Sequence, residues 1–417
     1  MVKKTSIQTR PKALPKASTP PAEGKNSNLG DAKTNKNDEF YTQWVDIERE
    51  MNAYLEYDSD VFRDKVILLP CDDPEWSNFA KFFALHFMDY GIKKLIATSY
   101  APNSKPPEIP YQPTLFESEA PQFDTAKTRS RGKKFVLEAK DINDDGVVNI
   151  EDLQWEYLDG DGDFRSPEVM ALRDKADIII TNPPFSLFRE FLTWIVKAEK
   201  EFVIIGNKNA ITYKEAFPLI MGNEMWLGST PMSLDLLFGV PEIAAAELLE
   251  NGKEGSKWRR VDGKVLARSS SIWFSNLDHG RRHQPLQLMT MADNKKHSKH
   301  KDVRGVGYQK YDNYDAVEVP FTDAIPSDYS GLMGVPISFL SKYNPDQFEI
   351  LGTSDNGLID DAFKSTPGLT QKFVDDYYKA GGKGAYQAGN PTAGIYEKGI
   401  ARMVYKRIFI RHRSPAK

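Results

Sequence analysis

Two periods of apolar and polar residues run along this chain, and the switch between them marks its elements. From Trp44 the apolar residues recur at helical spacing, at Trp44, Ile47, Met51, Tyr54 and Leu55, which predicts an amphipathic helix. Continuous apolar runs follow: Val66–Leu69 in "KVILLPCDD", then "KKLIATS", "ADIIIT" and "EFVIIG". Such runs read as strands buried on both faces. "EWSNFAKFFALHFMDYG" lies between the first two and reads as an amphipathic helix closed by Gly91. "KKFVLEAKD" reads as a shorter strand, and the proline-rich "PNSKPPEIPYQP" as a surface loop. Strands alternating with helices predict an α/β fold with a doubly wound, mostly parallel, Rossmann-like sheet. In such sheets ligands bind outside the carboxyl ends of the strands, where Asp72, Asp73, Asn182 and Asn207 all fall.

The alternation breaks down beyond about residue 225. Short extended segments such as "SIWFSNL" and "YDAVEVPF" are separated by polar stretches, which predicts a C-terminal α+β region over 226–417. Residues 1–37 carry Lys, Pro, Ser, Thr and Asn with almost no large apolar side chains, the composition of a disordered basic tail. That leaves 38–225 as the sheet domain. The net charge of −4 argues against a protein that binds polyanions with its whole surface, though not against a local basic groove. A single cysteine, Cys71, excludes a disulfide framework or a zinc site of several thiolates. No apolar run has the length of a membrane span and the N-terminus lacks a secretory core, so a cytoplasmic protein without membrane contact is expected.

The strand "ADIIIT" runs into Asn182-Pro183-Pro184-Phe185 and then a helix. Taken alone, this is a strand-to-helix turn in which proline stops the strand and pre-sets the first helical turn. It also suits one particular chemistry. An exocyclic amine on a base is a poor nucleophile, because its lone pair is delocalised into the ring. A site can help by accepting both N–H bonds, here with the Asn182 side-chain carbonyl and the Pro183 backbone carbonyl. Phe185 would stack on the base once it has left the duplex.

"TNPPFSLFREF" resembles the amino-methyltransferase motif of N6-adenine DNA methyltransferases, specifically the EcoRI-type adenine-specific enzymes. "NDEFYT", "SNFAKFF", "GDGDFRSPE", "GNKNAITYKE", "WFSNLDHGRR", "YDNYDAVEVP" and "MGVPISFLSKYNPDQFEILG" resemble further segments of that family, so the likeness covers roughly 37–412. It implies S-adenosylmethionine as methyl donor and double-stranded DNA as partner. It implies a restriction-modification or protective role, with target recognition in the C-terminal region. A monomer is expected, with any cognate endonuclease acting separately. Phe40, Tyr41 and Thr42 match the element lining the methionine end of the donor. Asp163 and Phe164 match the pair contacting its adenine, the carboxylate accepting from the amine and the ring packing on the base. The same chemistry would also serve an RNA adenine or a protein glutamine. A DNA-binding protein with a dead donor site is a third reading.

That third reading rests on a departure from the family. The usual glycine-rich turn after the first strand is replaced by "PCDDPEWSNF". Either Asp72 or Asp73 would meet the donor's ammonium group. "IATSY" lacks the acidic residue expected at the ribose. Asp141, Asn143, Asp145, Gly146, Asn149 and Asp152 follow calcium-loop spacing with Asp in place of the final Glu, but the flanks do not read as the two helices of an EF-hand, so an Asx-rich turn is the favoured reading and no metal is expected. The densest basic stretch holds Arg281, Arg282, Lys295 and Lys296. Such runs are usually solvated, but beside a methylase site they are expected to contact phosphate.

Overall fold

The computed structural model describes residues 41–73, 77–101, 118–140, 148, 152–240, 242–355 and 368–413. Its central feature is a sheet built from β2 (Val66–Leu69), β3 (Lys94–Ser99), β4 (Lys133–Glu138), β5 (Gln154–Tyr157), β6 (Ile178–Thr181), β7 (Glu201–Asn207), β8 (Trp226–Leu227) and β12 (Ser271–Ser275). These eight strands lie in the order β5-β4-β3-β2-β6-β7-β12-β8. Only the central pairs β3–β2, β2–β6 and β6–β7 are parallel. The outer pairs β5–β4, β4–β3, β7–β12 and β12–β8 are antiparallel. The sheet is therefore mixed, not mostly parallel as its strand runs predict.

The physical reason lies in the strands themselves. In β2 and β6 every residue but the first of β2 is buried, whereas β4 alternates between buried and more exposed positions. Continuous runs belong to strands covered on both faces, and alternation to antiparallel strands with one wet face, although β12 pairs antiparallel while buried along its whole length. The two covered faces show in the packing. Leu68, Ile179 and Ile204 point into one core with Phe188 and Phe191. Ile67, Leu69, Ile178, Ile180, Val203 and Ile205 point into another with Ile47, Met51, Phe79 and Phe82. Helices α1 (Trp44–Tyr57) and α2 (Asn78–Leu85) supply the second core. Helices α3 (Pro167–Lys175) and α4 (Phe188–Val196) supply part of the first.

A second, antiparallel sheet joins β1 (Tyr41–Thr42), β9 (Leu236–Gly239), β11 (Lys264–Ser269) and β10 (Trp258–Val261). A third contains β13 (Gln309–Lys310), β14 (Ala316–Glu318), β15 (Leu332–Pro336), β19 (Arg407–His412) and β16 (Phe348–Thr353). Strands β17 (Gly394–Glu397) and β18 (Ile400–Met403) form a hairpin. Residues Asp38–Lys417 constitute one compact unit, and strands from both sides of position 225 share the main sheet. The expected basic tail lies outside the described residues, as do Phe40, Asp141, Asn143, Asp145 and Asn149. Among the described residues no helix is long and apolar enough to cross a membrane.

Candidate active site

Strand β6 stops where Pro183 removes the next ladder donor. The chain turns through Pro184 (φ −53°, ψ 122°) and enters a short 3-10 turn, Phe185–Leu187, in which the Leu187 amide donates to the Pro184 carbonyl at 3.0 Å. Phe188 then opens α4, with its ring against the backbone of Gly206 in β7. A Cβ at Gly206 would stand 2.3 Å from that ring, so the close approach requires glycine. Pro183 is buried, while Asn182, Pro184 and Phe185 are half-buried. The turn is thus anchored from beneath, with Pro184 and Phe185 partly exposed and the Asn182 Oδ1 buried.

Phe185 meets Phe238 edge to face at 6.5 Å between centroids. Phe238 lies on β9, paired with Thr42 of β1. The small antiparallel sheet therefore brings Tyr41 and Thr42 to the same end of the molecule as the Asn-Pro-Pro-Phe turn. The Asn78 side chain at the start of α2 donates to the Thr42 carbonyl at 2.7 Å. Sequence reasoning missed Phe238, although the short run "DLLFG" is a strand signal of the right length.

Strand β2 ends at the same edge. Cys71 has φ +71°, the left-handed conformation that a glycine turn would supply, so a cysteine fills the role of the absent glycine. Asp72 is buried; its Oδ1 accepts from Ser77 Oγ at 2.6 Å, and its Oδ2 is 2.5 Å from Thr181 Oγ1. Burial pushes its pKa up to about 7 against those two hydrogen bonds. Asp73 is half-buried, and its carbonyl accepts from the Ser77 amide at 2.6 Å.

Asp163 sits after a turn that needs glycine. Gly162 has φ +89°, and a Cβ there would lie 2.2 Å from the Ser99 carbonyl at the end of β3. Arg165 grips both Asp163 oxygens, at 2.9 and 2.6 Å, and reaches Glu190 at 2.8 Å. Those hydrogen bonds hold the Asp163 carboxyl below its ordinary range. The Phe164 ring is only 3% exposed and packs edge-on to Phe191 and Trp194 at 5.0 and 5.5 Å. In this structure the ring packs into the core.

The basic stretch divides. Arg282 is buried, donates to Asp278 at 2.9 Å and Asn223 at 2.5 Å, and lies 3.5 Å above the Trp226 ring. Both terminal nitrogens are thus taken up within the protein, while its Nε is buried without a hydrogen-bond partner among the described residues, so the side chain is braced from inside the fold. Half-buried Arg281 donates to the Ser229 carbonyl at 2.6 Å. His279 is buried, and desolvation lowers its pKa to about 4 against the opposing pull of its hydrogen bond to the Leu227 carbonyl. Lys295 and Lys296 are exposed on the short helix α5 (Met291–His297). Asp152 of the calcium-loop pattern is buried. Among the described residues no group of three or more His, Cys, Asp or Glu side chains is arranged to hold a metal ion.

The loop Ser229–Thr230 is held by a group that the sequence did not flag. Glu50 of α1 is fully buried and accepts from the Ser229 amide (2.6 Å), the Thr230 amide (2.8 Å), the Thr230 hydroxyl (2.6 Å) and Tyr54 (3.0 Å).

A strand-end Asn-Pro-Pro-Phe turn beside an edge lined with carboxylates and carbonyls is the arrangement of a methyltransferase acting on an amino group. The family model described as "Adenine-specific methyltransferase EcoRI" matches residues 28–413, and the chain belongs to that family of adenine-specific DNA methyltransferases. It is 40% identical over 328 residues, 78% of this chain and 89% of the relative, to Type II methyltransferase M.EcoRI of Escherichia coli. It is 33% identical to Type II methyltransferase M.MpnI of Mycoplasma pneumoniae, over 77% of this chain and 83% of the relative. With M.MgeORF184P of Mycoplasma genitalium it shares 31% over 77% of this chain and 84% of the relative. No solved structure matches the chain significantly.

Proposed function

We propose that this enzyme moves a methyl group from S-adenosylmethionine to N6 of an adenine flipped out of duplex DNA, as the modification enzyme of a restriction-modification system. The observation carrying the proposal is the Asn182-Pro183-Pro184-Phe185 turn, fixed from below at the carboxyl end of β6 with Pro184 and Phe185 partly exposed. Asn182 and the Pro183 carbonyl accept the two N–H bonds of the amine, and Phe185, braced by Phe238, holds the ring. The transfer is direct and in line, and the proton leaves after the methyl arrives. Positioning supplies the rate.

The donor offers an adenine amine, ribose hydroxyls, an ammonium and a sulfonium, all seeking acceptors or negative charge. The edge supplies them: Asp163 for the amine, with the Phe164 backbone beside it, Asp73 for the ammonium, and Tyr41 and Thr42 at the methionine end. The bound donor supplies an electrophilic methyl group, and this chain's residues orient it and exclude water.

The main sheet is read as a doubly wound, Rossmann-like methyltransferase sheet carrying added antiparallel strands. The catalytic region extends beyond residue 225 to the Ser275 end of β12, because β8 and β12 belong to the same sheet. Target recognition falls to the remaining C-terminal region, with Lys295, Lys296 and Arg281 toward DNA. The protein acts as a cytoplasmic monomer, separately from any endonuclease. Asn182→Ala removes one of two acceptors for the amine, and turnover should fall at least about a hundredfold. The assay is transfer from labelled donor to duplex DNA, RNA and protein. Near-normal turnover on DNA, or preference for another substrate, overturns the proposal.

A further inference from the structure

The hydrogen-bond geometry around Asp72 assigns it a different task from holding the donor. Thr181 immediately precedes Asn182, and its hydroxyl has one proton but two close oxygen neighbours. The Pro70 carbonyl lies at 2.6 Å and Asp72 Oδ2 at 2.5 Å. The carbonyl carries no proton, so it can only accept. Once Thr181 donates to it, the 2.5 Å contact is a hydrogen bond only if Asp72 itself carries a proton. Ser77 Oγ donates to the other Asp72 oxygen and receives the Phe79 amide at 3.1 Å. With Asp72 neutral, each proton has one acceptor. With Asp72 ionised, two acceptors compete for one proton inside a site where Thr181 is 0%, Asp72 6% and Ser77 7% exposed.

We infer that Asp72 is a protonated latch, a positioning residue that donates to Thr181 and so ties the catalytic turn to the N-terminus of α2. Ser77 caps that helix and Asn78 holds the Thr42 carbonyl, so the latch joins the catalytic turn to the donor-side element. The surroundings agree. Among the described residues no Lys, Arg or His pairs with Asp72, and the neighbouring charge, Asp73, opposes its ionisation. The raised pKa of about 7 has the same sense. The inference rests on the proposed role of Asn182, and it leaves the donor's ammonium to Asp73.

The test compares Asp72→Asn, Asp72→Ala, Thr181→Val and Thr181→Ser in the full-length enzyme, reading kcat, the donor's dissociation constant and a pH profile. An amide reproduces the neutral acid, with N–H to Thr181 and carbonyl toward Ser77. Asp72→Asn should therefore retain donor affinity and rescue most of the turnover lost in Asp72→Ala. Thr181→Val should lower kcat about tenfold, the effect of losing a buried hydrogen bond, with donor affinity unchanged, and Thr181→Ser should restore it. Wild-type kcat should fall as the pH rises through about 7, and Asp72→Asn should remove that fall. Weakened donor binding in Asp72→Asn shows an ionised donor ligand and overturns the inference. An unfolded Asp72→Asn also overturns it, as does a Thr181→Val enzyme of normal kcat. Asn182→Ala, measured alongside, separates the two failures: if it stays active, the catalytic assignment itself falls.

Discussion

Replacing Arg282 with alanine distinguishes a phosphate contact from a structural one. The side chain is 6% exposed and donates to Asp278 and Asn223 while stacking on Trp226. Losing a hydrogen bond between charged groups costs about 1.5–3 kcal/mol, and a neutral partner about 1 kcal/mol. Stacking of a desolvated guanidinium on tryptophan adds about 1–2 kcal/mol. Asp278 is 36% exposed and also keeps His283 at 2.9 Å, so water and that imidazole recover part of the loss. The sum is a destabilisation of about 4 kcal/mol. Urea unfolding of Arg282→Ala should show it as a lower midpoint with an unchanged slope. DNA binding by the folded fraction should keep its salt dependence. Each lost phosphate contact flattens the plot of log affinity against log salt by about 0.9. An unchanged midpoint together with a salt slope reduced by that amount would refute the reasoning and return Arg282 to the DNA surface.

Two other substitutions probe the site's supports. Glu50→Gln turns an amide N–H₂ toward one backbone N–H and one hydroxyl that now meet a carboxylate oxygen, so the backbone donor is left buried and unpaired and the hydroxyl has to reverse into an acceptor. Stability should fall by about 3 kcal/mol, and an unfolding free energy within about 0.5 kcal/mol of wild type would contradict the assigned role. Asp163→Ala should raise the Michaelis constant for the donor far more than that for DNA, since its partner is remote from the methyl. Lost DNA affinity with donor affinity intact would show that the site is assigned wrongly.

The central strands were legible because they are buried on both faces, a condition that leaves unbroken apolar runs in β2, β6 and β7. The direction of β4 was also written there, in its alternation, but that of the wholly buried β12 was not, and pairing partners are not a local property. The Asn-Pro-Pro-Phe turn announced itself through proline. Strand β1 did not, since two residues cannot display a period. The partners of Arg282 were not legible, because a charge run looks the same whether it meets water, phosphate or Asn223, which lies 59 positions away. The packing of Phe164 was hidden for a related reason: the motif names a ring, and only the fold sets it against Phe191 and Trp194. Glu50 was invisible, because its four donors come from the next helical turn and from residues 229 and 230.

Strand β12 pairs antiparallel with β7, Ser271 opposite Asn207, and this sets an order of events on the ribosome. At about 5–20 residues per second, synthesis from position 207 to position 271 takes roughly 3–13 s. Throughout that interval β7 waits with one backbone edge unpaired, the kind of edge that recruits foreign strands. Strand β1 waits longer still, because its partner β9 is made nearly two hundred residues after it. The catalytic turn, made first, is therefore finished late. A nascent chain holding every residue of the Asn-Pro-Pro-Phe motif is not yet an enzyme, and chaperone occupancy in this window should concentrate on the bare flank of β7.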